Sequence, residues 1–474
     1  MSLTHETMLE RFYGRDRESD GRFLTGVVTT GIYCLPSCTA RKPLPGNVRF
    51  FDTEAEAREA GLRPCRRCRP DHYYRGRDPD RELAEALAAE VRREPGRGAA
   101  ALAAVSGVGA TKVNALFRAH FHLSPAAFVA RERVEAACRA LAGGAGVSEA
   151  AFAAGFESLS AFHANFRRRT GMSPGEYRAL GASAEFVVAL PSGFRADVVL
   201  AYHGRDPESP TERVQGSEVV KALRLDGAPA VLRMELAADA VRCRVEAEAP
   251  VSGAAMREAH GAAVRMLGLA GDPGPFERAV RRRGETARLV EPRRGLRIPL
   301  TADPWECLAW AIVGQQVNLA FAYALRRTVI ELTGEPVAGM RTHPLPAAVA
   351  ALEPADLARR RFSLRKAEYL VDTARLVASG GLDLAPGPPA TAVERRLLEV
   401  RGLGPWSVQY FLMRGHGFAD CLPVGDAALA AALQRFFVLD GRPGPAETRR
   451  LMEGFAPFRS LATFHLWQSL GDPA

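Results

Sequence analysis

Apolar residues recur at helical spacing through most of this chain and alternate only in its middle. The segments VLRMEL and VRCRVEAE place apolar and polar side chains in turn, the period of a half-buried strand. Asp226-Gly227 and Ala238-Asp239 offer the tight turns of an antiparallel sheet, and an amphipathic helix at Ser252–Leu267 follows. Upstream, helical periodicity runs through Arg81–Arg93, Ala110–Phe121 and Leu159–Thr170. Downstream, PWECLAWAIVGQQVNLAFAYALRRTVIELTG is a long helical pattern broken at Gly314, and Ala427–Phe437 is another helical run. Dissimilar blocks thus follow one another, with boundaries expected at residues 1–76, 80–182, 184–292 and 293–474.

A length of 474 residues suits three or four domains, and a net charge of +9 favours an anionic partner. No apolar run approaches the length of a membrane span, and the polar, mixed-charge start MSLTHETMLERFYGRDRESDGRF is unlike a secretory signal. The expectation is a cytoplasmic, nucleoid-associated chain whose eight cysteines are reduced thiols or metal ligands.

Four of those cysteines are paired. Cys34 and Cys38 form a C-x3-C knuckle, Cys65 and Cys68 a C-x2-C knuckle, and together they read as one tetrahedral zinc site that holds a small block folded. Arg41, Lys42, Arg63, Arg66, Arg67 and Arg69 surround them. GIYCLPSCTAR followed by LRPCRRCRPD resembles the N-terminal zinc domain of the Ada family. The resemblance implies that Cys34 accepts a methyl group from a methylphosphotriester in DNA; from spacing alone, a structural zinc is the other reading.

In the second block, LAAVSGVGATKVNALFRAHFHLSP and VSEAAFAAGFESLSAFHANFRRRTGMSP each place a small-residue turn (Gly107, Gly155) before a second helix and a closing Ser-Pro. Gly155 through Arg178 is similar to the AraC family signature, which implies a double helix–turn–helix reader of DNA. Phe156, Phe162, Phe166 and Tyr177 fall at core spacing. Lys112, Asn114 and Arg118 in one second helix and Ser160, His163 and Arg167 in the other are the candidates for DNA contact.

The last block carries Val400-Arg401-Gly402-Leu403-Gly404 between two helical patterns. Its two glycines are expected to take left-handed angles and to leave the backbone open, and the next helix offers free N–H groups to a phosphate. Asp426 heads the run Ala427–Phe437, where it can cap the helix and present a carboxylate. Hairpin, Asp426, Trp406, Tyr410 and the closing FRSLATFHLW together resemble the helix–hairpin–helix DNA glycosylases, in their AlkA branch. That resemblance implies that Asp426 is catalytic, that Trp406, Tyr410 and Trp467 line an aromatic base pocket, and that Gln316 of Gly314-Gln315-Gln316 wedges into the duplex. It also implies that Gly402 and Gly404 bind the DNA backbone and that the carbonyls of Leu398, Val400 and Leu403 hold a monovalent or divalent cation. Trp406 stands where relatives that form a Schiff base have lysine, no cysteine follows Cys421, and Ala427 replaces a tyrosine of the enteric AlkA.

The expected fold is therefore multidomain: a small zinc-bound α/β domain, an all-α double helix–turn–helix domain, an α/β domain of the kind that precedes the AlkA glycosylase, and an all-α helix–hairpin–helix domain. The expected function is excision of N-alkylated purines, 3-methyladenine and 7-methylguanine, fused to a zinc-dependent methylphosphotriester sensor and transcriptional activator. The expected partners are double-stranded DNA and, through activation, RNA polymerase, with no membrane and no oligomer. A regulator whose glycosylase half is only a DNA-binding scaffold is the alternative.

Overall fold

Short strands and helices open the chain: α1 (His5–Tyr13), β1 (Leu24–Val27), β2 (Ile32–Cys34), β3 (Val48–Phe51), α2 (Glu54–Glu59), β4 (Arg63–Pro64) and α3 (Pro70–Tyr73). The sheet order is β3-β1-β2-β4, antiparallel except for the β2–β4 pair. Its apolar core is small: Leu24, Tyr33, Leu35 and Ala57 cluster with a few half-buried neighbours, and Phe12, Phe23 and Val48 are buried as well. A core that small needs a metal or crosslink to stay folded. The computed structural model describes residues 3–16 and 19–471, and the chain falls into two compact units, Met1–Ala86 and Leu87–Ala474.

The helix α4 (Pro79–Arg93) carries the division between the units. Beyond it come α5 (Ala99–Ser106), α6 (Ala110–Phe121), α7 (Pro125–Ala142), α8 (Val147–Ala153), α9 (Leu159–Thr170) and α10 (Pro174–Arg178). Each second helix has the bounds that its periodicity predicts. Gly107 ends α5 at φ +67°, and Gly155 follows α8 at φ +80°, where a Cβ would lie 2.3 Å from the Cα of Gly96. Phe156, Phe162 and Phe166 are buried and Tyr177 packs against them, so this aromatic set is core.

The middle region is a five-stranded antiparallel sheet of order β5-β9-β8-β7-β6. Its elements are β5 (Glu185–Ala189), α11 (Ala196–His203), β6 (Glu212–Gln215), β7 (Glu218–Leu225), β8 (Ala228–Leu236) and β9 (Ala240–Glu246), followed by α12 (Gly253–Met266) capped by Ser252. Asp226 and Gly227 both have positive φ, the turn that joins two strands without splaying them. Cys243 is buried in β9, and burial pushes its thiol above the usual range, as befits packing.

The remainder is largely helical: α13 (Gly274–Arg281), α14 (Ala287–Val290), α15 (Pro304–Val313), α16 (Leu319–Thr333), the two-residue strands β10 (Pro336–Val337) and β11 (Met340–Arg341), α17 (Pro346–Ala350), α18 (Pro354–Ala358), α19 (Leu364–Ala378), α20 (Ala390–Leu398), α21 (Pro405–Arg414), α22 (Ala427–Phe437), α23 (Pro445–Glu453) and α24 (Arg459–Ser469). Among the described residues no single helix is long and apolar enough to cross a membrane.

Two features tie the regions of the second unit, Leu87–Ala474, to one another. Between the sheet and the helices, Lys221 of β7 lies 2.7 Å from Glu306 of α15 and 3.4 Å from Glu212 of β6, while Arg326 of α16 lies 2.7 Å from Glu306 and 3.3 Å from Glu212. All four are buried, two cations neutralise two anions, and each carboxylate answers both. On another side, the first helix–turn–helix rests on α20. His120 Nδ1 lies 2.7 Å from Thr391 Oγ1, the amide of Asp420 donates to His122 Nδ1 at 3.0 Å, and Arg92 donates to the carbonyl of Gly387 at 2.7 Å. The His122 ring meets Phe418 edge-on, and burial lowers its pKa to about 4.

Candidate functional site

The sulfurs of Cys34, Cys38, Cys65 and Cys68 all lie within 4.8 Å of one another. The strand β2 ends on Cys34, and the two knuckles supply the other three. A zinc ion with Zn–S bonds of about 2.3 Å spaces its four ligands ~3.8 Å apart, so the cluster needs only a small contraction to fit. Amides of Leu35 and Arg67 donate to the sulfurs of Cys68 and Cys65 at 3.4 Å, which favours thiolates. Hydrogen bonds from Cys38, Cys65 and Cys68 lift the pKa of Cys34, while a bond with Cys34 depresses Cys65; the four share protons that a divalent cation displaces. Cys34, Cys38 and Cys65 are buried and Cys68 is half-buried, so exposure does not single out Cys34.

In the second unit the two expected reading helices, α6 and α9, keep Lys112, Asn114, Arg118, Ser160, His163 and Arg167 exposed. Arg118 donates to Asn114 at 2.9 Å, which steadies one pair of them on the same face of α6.

The hairpin joins α20 to α21, and its two glycines differ. Gly402 has φ +92° and lies so close to Tyr369 that a Cβ would fall 2.3 Å from the ring. Gly404 does not take the expected left-handed angle: it is extended at φ −100° as the residue before α21, and nothing lies within 4 Å of where its Cβ would point. The reason is that α21 starts at Pro405, and a residue before proline prefers extended angles. One glycine makes the turn and the other leaves the approach open.

A second loop is pinned against this turn. The Gln315 side chain donates to the carbonyl of Gly402 at 2.8 Å and to Ser407 Oγ at 2.9 Å. Lys366 Nζ donates to the carbonyls of Val313 and Gln315, both at 2.8 Å. Gln316 then stands exposed with φ +55°, an uncommon conformation for a residue with a side chain.

Asp426 precedes α22 and caps it, Oδ1 accepting from the Leu429 amide at 2.7 Å. Trp467 Nε1 donates to the same oxygen at 3.0 Å, and Trp406 Nε1 donates to Oδ2 at 2.9 Å. The carboxylate is thus held by two indoles from α21 and α24. The Trp406 ring stacks on Tyr410 at 5.5 Å, and Tyr410 lies 6.3 Å from Trp467. The three aromatic residues and the acid expected to act together are together.

Sequence reasoning missed the rest of this wall. Trp310 donates to the Tyr410 hydroxyl at 3.1 Å and stacks on Tyr323 at 5.2 Å. From the α/β region, Tyr202 and Arg205 join them, with the Arg205 guanidinium 5.3 Å from the Trp310 ring. Trp310 reads in sequence as one more apolar position of α15; its place one turn before Gly314 is the only signal it offered.

Family models match three segments: "Metal binding domain of Ada" over residues 7–71, "Helix-turn-helix domain" over 102–180, and "HhH-GPD superfamily base excision DNA repair protein" over 309–457. Among solved structures, a 3-methyladenine DNA-glycosylase from Archaeoglobus fulgidus superposes with TM-score 0.53 at 20% identity, covering 60% of this chain and 97% of its own, and so shares the fold. "DNA-3-methyladenine glycosylase 2" of Escherichia coli is 34% identical over 194 residues, 40% of this chain and 65% of the relative. A Mycobacterium tuberculosis protein named "Probable bifunctional transcriptional activator/DNA repair enzyme AlkA" is 30% identical over 487 residues, spanning 97% of this chain and 95% of its own. With zinc knuckles, paired reading helices and an acid-bearing hairpin fold in the same order along nearly its whole length, this chain belongs to that family of bifunctional activator and DNA repair proteins.

Proposed function

We propose that this chain is a monofunctional DNA glycosylase for N-alkylated purines, 3-methyladenine and 7-methylguanine among them, fused to a zinc-dependent sensor of DNA methylation that activates transcription. The observation that carries the glycosylase reading is the carboxylate of Asp426, held by the indoles of Trp406 and Trp467 beside the Tyr410 ring.

The extruded base is cationic when alkylated at a ring nitrogen, so it is drawn to π faces and leaves without an acid. Trp406, Tyr410 and Trp467 supply those faces. Asp426 opposes the positive charge that develops on the sugar as the C1′–N bond breaks, and it orients the water that adds to C1′. Trp406 in the position of a Schiff-base lysine leaves the strand uncut. Gln316, displayed by its left-handed backbone, fills the gap in the duplex. The open face at Gly404 and the first amides of α21 meet a phosphate, and the carbonyls of Leu398, Val400 and Leu403 are the atoms that would hold a cation against it.

In the first unit, Cys34, Cys38, Cys65 and Cys68 hold zinc, which keeps the sulfurs as thiolates at neutral pH. Cys34 Sγ attacks the methyl carbon of a methylphosphotriester; the S–C bond forms, the C–O bond breaks and the phosphodiester leaves as an anion. With zinc bound, methylation of Cys34 would remove one negative charge from the four-cysteine site, which would weaken its repulsion of DNA and strengthen binding. Lys112, Arg118, His163 and Arg167 then meet the operator, and the activated promoter recruits RNA polymerase.

Base release from duplex DNA methylated in vitro tests the enzyme. Free 3-methyladenine with intact strands before alkali is the expected result, and no release by folded, DNA-binding protein overturns it. Mass spectrometry of the zinc-loaded chain after the same exposure tests the sensor, since a methyl group is expected on Cys34 and on no other cysteine.

A further inference from the structure

The basic residues around the four cysteines are not placed alike. Arg41, Arg63, Arg66, Arg67 and Arg69 are exposed, whereas Lys42 is half-buried. Its Nζ lies 3.6 Å from the centroid of the Phe12 ring of α1 and donates to the carbonyl of Pro36 at 3.4 Å. Phe12 is buried, and Pro36 stands midway along the first knuckle, two residues from Cys34 and two from Cys38. Both flanks of this seat are fixed. The Tyr13 hydroxyl donates to the carbonyl of Pro43 at 2.6 Å, and the amide and hydroxyl of Ser37 donate to Asp20 at 3.0 and 2.6 Å. Burial lowers the pKa of Lys42, Arg15 adds to that, and the sulfurs of Cys38, Cys34 and Cys68 raise it. An ammonium is thus held on an aromatic face beside the sulfurs, where a solvated surface lysine would sweep freely.

The group that Cys34 attacks is neutral. A methylphosphotriester carries no charge, and it becomes a phosphodiester anion only as its C–O bond breaks. An ammonium beside it gains little in the ground state and much in the transition state, which is the difference that accelerates a reaction. We propose that Lys42 is a catalytic residue of methyl transfer, donating through Nζ to the phosphoryl oxygens of the attacked triester and stabilising the phosphodiester as it departs. This rests on the methylphosphotriester reading above. Cys34 Sγ forms its bond to the methyl carbon, the C–O electron pair passes to the phosphate oxygen, and Nζ keeps its proton. One negative charge leaves the sulfurs and one appears on the phosphate, so no further reactant is required. Bound zinc keeps the sulfurs as thiolates, so the ammonium is not needed to make the nucleophile. Its pull on the sulfurs works against attack, and the two roles predict rate changes of opposite sign.

The test uses the zinc-loaded full chain and a synthetic duplex carrying one methylphosphotriester. Lys42→Met keeps the stem on Phe12 without the charge, and Lys42→Arg keeps a charge. Methyl iodide serves as a second donor, because its leaving group is not a phosphate. At saturating DNA, Lys42→Met should methylate Cys34 roughly ten- to hundredfold more slowly than wild type, the worth of one charge-assisted hydrogen bond. Affinity for the unreacted duplex and the rate with methyl iodide should each stay within about threefold, and Lys42→Arg should recover part of the rate with DNA. Transfer from DNA that is unchanged or faster in Lys42→Met overturns the proposal. Equal losses with both donors also overturn it, since they place the damage in the zinc-bound thiolate and not at the phosphate. Either result leaves the sensor reading standing so long as wild type is methylated on Cys34. Zinc-loaded wild type that binds the duplex and takes no methyl group overturns the sensor reading itself.

Discussion

Replacing Asp426 with asparagine separates the catalytic use of this side chain from its structural ones. Asparagine caps a helix as well as aspartate does, so the bond to the Leu429 amide and the start of α22 survive. Its carbonyl oxygen can also keep the Trp467 bond. Only the Trp406 contact fails, because an amide nitrogen would face the indole N–H that now donates to Oδ2. One unmet donor pair in a half-buried site costs about 1 kcal/mol, a drop in melting temperature of roughly 2–4 °C. The chemical cost is larger. A unit charge ~4 Å from the sugar in a medium of effective dielectric near 20 contributes about 4 kcal/mol, which corresponds to about a thousandfold in rate. Single-turnover release of 3-methyladenine with Asp426→Asn, alongside circular dichroism and thermal melting, reads both effects. A variant that melts within a few degrees of wild type yet releases base within about tenfold of it would refute the electrostatic role of the carboxylate.

Gly402→Ala should destabilise the second unit by more than about 2 kcal/mol and weaken DNA binding, because φ +92° is strained for alanine and its Cβ would fall 2.3 Å from the Tyr369 ring; Gly404→Ala, in open space, should fold normally. Burial alone would raise Glu306, but Lys221, His343 and Arg326 outweigh it and hold the carboxyl at about 2 against an ordinary 4.5. A depressed carboxyl stabilises the fold above the unfolded value, so denaturant midpoints should fall as pH drops from 4.5 towards 2; Glu306→Gln should reduce that slope, and the part that remains belongs to Glu212, which Lys221 and Arg326 hold low against its burial. Chelation of zinc should unfold the unit Met1–Ala86 and leave the Leu87–Ala474 transition unmoved, read as two separate steps by calorimetry.

Much of this could be read in the sequence because it is local. The second helices of both reading units announce themselves through the periodicity of Ala110–Phe121 and through Phe162 and Phe166 at helical spacing, and Asp226-Gly227 needs only its two residues to specify a turn. Asp426 is a cap by position, and Trp406 and Tyr410 share a face one turn apart. The misread angle at Gly404 was also local, since Pro405 was there to be weighed. What escaped has no period. Glu212, Lys221, Glu306 and Arg326 meet from four separate elements, and nothing near any one of them in sequence signals its partners. Arg205 looks like an ordinary loop arginine until Trp310, far along the chain, turns out to be its neighbour.

The seat of α6 on α20 makes an address of the first helix–turn–helix. His120 holds Thr391 at the start of the helix that leads into the hairpin, and Arg92 and His122 hold the flanks. A flexible tether would let the excision domain sweep the DNA around an occupied operator. A bolted joint instead fixes one small zone where its local concentration is high and excludes the rest. Excision by a chain held at an operator would then be aimed at neighbouring sequence, and patrol of distant DNA would fall to copies that are not held there.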